Sequence, residues 1–189
     1  MTGSRRFALG LTASLALAGL SLVLARPAMA MSGDCLWDHL RPETRSELIR
    51  GYMRDGPDVL DRVFISDAEY DAVDAGCDGS RRAEERTKER LLAAVVFEHG
   101  TAVFLKQRLG WRDGDIQSAW DRILPADQAR LRRSADTILS ERDPIEDDLS
   151  APVRAFLGGR RADDDASLAD QARGYLTSRS MREAIERRD

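Results

Sequence analysis

Histidine, cysteine and lysine are scarce in this chain of 189 residues, and each scarcity closes off some chemistry. The two histidines, His39 and His99, are far apart. No His-Glu-x-x-His or Glu-x-x-His spacing gathers ligands for a metal, so neither a metal nor a cofactor is expected. The run Asp163-Asp164-Asp165 lacks the glycine and the spacing of a calcium loop and reads as the acidic start of a helix. A Gly-x-Ser-x-Gly elbow, a phosphate loop and a dinucleotide fingerprint are all missing. Lys88 and Lys106 are the only lysines, and acids outnumber bases 33 to 29, which argues against a nucleic-acid partner. Alternating β-branched runs are also missing, which removes a sheet.

The N-terminus is rich where the remainder is poor. Arg5 and Arg6 precede an uncharged apolar run from Phe7 to Ala25, and Arg26-Pro27-Ala28-Met29-Ala30 follows. A positive segment, an apolar segment and small residues at Ala28 and Ala30 form the pattern of a cleaved export signal, with the cut between Ala30 and Met31. The run would also just span a bilayer, so an uncleaved membrane anchor is the competing reading. Ser4-Arg5-Arg6-Phe7 is a partial twin-arginine pattern, which leaves the export route open. Residues 32–34 lack the residues needed to make Cys35 a lipidated cysteine. Residues 31–189 then form one helical domain in a periplasmic or secreted protein. They carry 26 bases against 33 acids, a formal charge of −7.

Cys35 and Cys77 are the only cysteines, and in an oxidising compartment an even count predicts a disulfide. Cys-x-x-Cys is absent and neither cysteine is next to a histidine in sequence, so a structural bond is expected in preference to a reactive thiol.

Helical spacing recurs along residues 31–189, predicting an all-α, irregular bundle around one long central helix over about 80–109. Residues 31–79 are expected as a disulfide-closed subdomain, 80–157 as the central helix with a second corner, and 158–189 as a linker and C-terminal helices. Pro42 and Pro125 suit first helical positions, and Gly56 suits a helix end. Ser66 with Glu69, and Ser180 with Glu183, have capping-box spacing. Glu84 with Lys88 suits an exposed ion pair, Asp113 a cap, and Val59, Leu60, Val63 and Phe64 an apolar turn. Trp37-Asp38-x-Leu40-x-Pro42 recurs 83 residues later as Trp120-Asp121-x-Ile123-x-Pro125, suggesting two similar corners.

One pair of residues interrupts the most apolar stretch, Leu91 to Leu105: Glu98 and His99. Burial would shift both pKa values, the usual setting of acid–base chemistry, although adjacent helical residues point about 100° apart. The aromatics Trp37, Trp111, Trp120, Tyr52, Tyr70 and Tyr175 read as core in preference to a ligand pocket. Arginines 173, 179, 182, 187 and 188 read as a solvated helix or a docking face. The resulting expectation is a non-catalytic exported protein that binds another protein or an envelope component. A small enzyme or ligand binder using Glu98 and His99 is the alternative.

Overall fold

The computed structural model describes residues 31–77, 83–140, 149–158 and 165–188. Residues 1–30, where an export signal is expected, lie outside them, as do the segment 141–148 and Asp163 and Asp164. The described residues are 83% helical, with eight α-helices and no strand. In order they are α1 (Gly33–His39), α2 (Pro42–Asp55), α3 (Asp67–Gly76), α4 (Glu85–Leu109), α5 (Asp113–Asp121), α6 (Pro125–Leu139), α7 (Ser150–Phe156) and α8 (Ala166–Arg188). A 3₁₀ turn, Gly56–Asp61, follows α2.

Local chemistry sets most boundaries. Pro42 and Pro125 stand at the first turns of α2 and α6, where the missing N–H would have no helical partner. Gly56 ends α2 with φ +64°, and Gly110 ends α4 with φ +68°, conformations that strain any residue with a Cβ. Ser66 caps α3, and the Glu69 carboxylate accepts the Ser66 N–H at 3.3 Å in return.

Several expectations are corrected. The central helix begins at Glu85, because Glu84 is extended (φ −62°, ψ 145°). Lys88 turns away from Glu84 and donates to Asp74 of α3 at 2.8 and 2.9 Å, pinning α3 to α4. The cap of α5 is Arg112, whose N–H is accepted by Asp115 at 2.7 Å, and Asp113 lies inside the helix. Ser180 and Glu183 start nothing, since α8 runs through them unbroken. Ser180 is fully buried, and Ala184 and Ile185 prolong the buried stripe of Tyr175 and Leu176, so packing overrides the capping pattern. Phe64 does not join the core and is 80% exposed.

The similarity of the two corners extends to the whole architecture. The helices form two successive sets of four, α1–α4 and α5–α8, each a short helix, a proline-started helix, another short helix and a long closing helix. The residues that precede the prolines, Arg41 and Leu124, adopt φ/ψ of −58°/145° and −59°/146°. Leu40 and Ile123 are both buried, and their N–H groups close the same turn onto the carbonyls of Trp37 and Trp120. Leu48 and Leu131 are buried one step further on, as are Val73 and Phe156. In the long helices the correspondence shifts by one residue: Leu91 and Leu92 match Tyr175 and Leu176, Val96 matches Ser180, and Gly100 and Thr101 match Ala184 and Ile185, all buried.

Helices α4 and α8 pack together antiparallel, Glu98 against Arg182 and Thr101 against Gly174. One apolar cluster draws mainly on the first set but takes in Ala135 and Leu139 of α6 and Ala184 and Ile185 of α8. The other belongs to the second set but takes in Leu105 from the end of α4. The two sets therefore share their cores unequally, while Glu98 meets the residue at its own matching position, Arg182.

Candidate functional site

Cys35 lies in α1 and Cys77 directly follows α3, and the two are joined as a disulfide with Cα atoms 5.8 Å apart. Beside them lies a group that linear sequence proximity does not reveal. His39 is one helical turn after Cys35, and its Nδ1 is 3.5 Å from both sulfurs. Nδ1 also lies 2.9 Å from the Cys35 carbonyl oxygen, which it bonds as donor. Gly76 permits this approach, because a Cβ there would fall 2.1 Å from His39 Nε2. The i,i+4 spacing of Cys35 and His39 was the available signal, although neither cysteine adjoins a histidine in sequence.

Glu98 and His99 face different neighbours. Glu98 forms a two-pronged pair with Arg182, at 2.6 Å to Nε and 3.2 Å to Nη2, with both side chains about 15% exposed. Arg182 also reaches Glu186 at 3.2 Å, and Glu186 accepts the Gly33 N–H at 2.7 Å, so the network ties α4, α8 and α1 together. Burial opposes the Arg182 charge, but the hydrogen bonds and negative charge of Glu98 outweigh it and raise the guanidinium pKa above its ordinary range.

His99 instead stacks on Trp37 of α1, with ring centroids 4.2 Å apart and planes 10° apart. Burial lowers its pKa to about 4, with Asp34 opposing and Arg182 assisting, so the ring is neutral at pH 7. The carboxylate and the imidazole therefore do not converge on one reacting point.

A pH dependence follows. A histidine whose folded pKa lies below its unfolded value supports folding fully above about 6.5, and that support is lost as the pH falls toward 4. Urea unfolding should show the parent losing about 2–3 kcal/mol from this group between pH 7 and 4. His99→Phe retains a ring on Trp37 but has no proton to gain, so its loss over that interval should be smaller by this amount. Equal slopes for parent and variant would exclude the effect.

Five further aromatics pack against one another. Trp111 meets Phe156 edge-on at 5.5 Å, Phe156 stacks on Tyr175 at 5.2 Å, and Tyr52 tilts against Phe97 at 5.9 Å. Two C-terminal arginines are likewise held inside. The Arg179 guanidinium lies 4.4 Å over Trp120 and donates to the Tyr175 hydroxyl at 3.0 Å, and Arg182 belongs to the Glu98 network. Arg188 pairs with Asp136 and Arg173 with Asp170. Asp165 accepts the Leu168 N–H at 3.0 Å and so caps α8.

Trp37 has a second role as the wall of an open cleft of about 490 Å³, formed with Pro42, Arg45, Ser46, Ile49 and Arg50. Its lining combines apolar Trp37, Pro42 and Ile49 with cationic Arg45 and Arg50. Arg45 reaches Asp38 only at 3.4 Å, and Arg50 has no ion-pair partner among the described residues. No described helix is long and apolar enough to cross a membrane. No family model matches the chain, and neither a curated protein nor a solved structure shows significant similarity to it.

Proposed function

We propose that the chain is an exported, non-catalytic helical protein that binds a partner protein in the cell envelope, through an acidic segment carrying an apolar side chain. The observation that carries this reading is the Trp37 cleft. Trp37, Pro42 and Ile49 offer an apolar seat, and Arg45 and Arg50 offer positive charge on a domain whose formal charge is −7. A partner carboxylate beside an apolar anchor complements both features. The export pattern before Met31 and the Cys35–Cys77 disulfide support an extracytoplasmic location. The absence of a shared focus for Glu98 and His99 favours binding over acid–base chemistry.

Affinity capture from envelope extracts tests the reading, with Arg50→Glu and Ile49→Asp as cleft variants at surface-accessible positions. The full chain should retain an acidic protein partner in a salt-sensitive manner, and each variant should weaken retention at least ~10-fold, the order expected for a contact worth more than about 1.4 kcal/mol. Equal retention by parent and variants would refute the cleft. Co-purification of a small metabolite in place of any protein would refute the whole reading.

A further inference from the structure

We propose that the Cys35–Cys77 disulfide masks a metal site. On reduction, the two cysteine sulfurs and His39 Nδ1 become the ligands of one divalent cation of the zinc class, with a fourth position open to water. Potential ligand atoms of these three residues all lie within 4.8 Å of one another. Zinc–sulfur and zinc–nitrogen bonds of about 2.3 and 2.1 Å meeting at a tetrahedral angle place sulfur and nitrogen about 3.6 Å apart. His39 Nδ1 already stands 3.5 Å from each sulfur. Only the two sulfurs must move, opening to about 3.8 Å, the corresponding sulfur–sulfur edge. Cys77 is buried, Cys35 half-buried and His39 exposed, so the ion would sit at the surface with one side facing solvent. That is the open, three-ligand form of a zinc site.

The steps balance. A phosphine or dithiol reductant delivers two electrons, the sulfur–sulfur bond breaks, and two protons complete the thiols. Zinc then displaces both thiol protons into solvent. The imidazole stays neutral, moving its proton from Nδ1, where it bonds the Cys35 carbonyl, to Nε2. Gly76 is a positioning residue, because any side chain there would collide with Nε2 and push the ring off the site.

The test is a titration of the full chain with zinc, competed against a chromophoric chelator, before and after reduction by a phosphine. Cobalt serves as a spectroscopic substitute, and circular dichroism reports folding. The reduced chain should take up one equivalent and show a thiolate-to-cobalt charge-transfer band, while the oxidised chain takes up none at these sulfurs. His39→Ala should weaken zinc at least ~10-fold, and Gly76→Ala should weaken it by about 10-fold while leaving both thiols in place. If reduction unfolds the chain, recovery of helix on adding zinc supports the site, and failure to recover overturns it. A folded, reduced chain without zinc uptake overturns it, as does His39→Ala binding zinc as tightly as the parent.

Discussion

Glu98→Ala is expected to destabilise the fold by about 3–5 kcal/mol, read as a lowered urea midpoint with little change in slope. The alanine leaves the Arg182 guanidinium, about 15% exposed, with Glu186 as its remaining carboxylate. Removing one member of a largely buried pair costs more than the pair itself contributes, because the surviving charge keeps its desolvation penalty and loses most of its compensation. Arg182→Ala should cost a similar amount, since it leaves Glu98 and Glu186 unpaired and removes an alkyl stem that packs against Gly33 of α1. The double replacement Glu98→Met with Arg182→Leu removes both charges and keeps an apolar contact between α4 and α8. It should lie much closer to the parent than the sum of the two single losses. Single losses below 1 kcal/mol, or a double variant as unstable as that sum, would show that the pair is not the clamp described here.

The position of that clamp explains what the sequence could and could not reveal. Short-range signals were legible because each acts within one turn: Pro42 and Pro125 start helices, Gly56 ends one, and Ser66 with Glu69 caps another. The all-helical class was legible from spacing alone. In two of the failed expectations a distant partner or a buried face decided the outcome. Lys88 chose Asp74 over Glu84, and Ser180 was drawn into a helix because its face is buried. The two corners could be matched by letters, Trp, Asp and Pro in register, but the long helices could not. There the equivalent positions share burial and not identity: Leu91 answers to Tyr175, and Val96 to Ser180. A glutamate and an arginine at matching positions look unrelated in sequence, yet where those positions meet, opposite charges attract and two like charges would repel.

The candidate sites divide in the same way. Glu98 and His99 stood out because they interrupt an apolar run, and the structure assigns each a separate neighbour, Arg182 and Trp37. The Trp37 cleft was not legible, because Trp37 reads as a core residue. The structure places Trp37 and Ile49 in the lining of one open cleft. His39 could be placed one turn from Cys35, but its distance to Cys77 depends on α3 returning to α1 and on Gly76 leaving room for the ring.

The disulfide carries the second large expected effect. Cys35 and Cys77 are 42 positions apart and enclose α1, α2 and α3. In the chain-entropy model a loop of that span, when closed, stabilises the folded state by about 4 kcal/mol, through the freedom it removes from the unfolded chain. The double replacement Cys35→Ser with Cys77→Ser should therefore lose about that much in urea unfolding, and the oxidised parent should fall to the same level when a reductant is added in the presence of a chelator. The loss should leave the native contacts of Leu36, Leu40 and Val73 in place, since the effect resides in the unfolded state, so the helical signal of the folded variant should match the parent. Coinciding midpoints for variant and oxidised parent would mean that these buried contacts hold the first corner without the cross-link. A variant with reduced helix content before any urea is added would mean that the bond holds α1 against α3 directly, and the entropic account would give way to an enthalpic one.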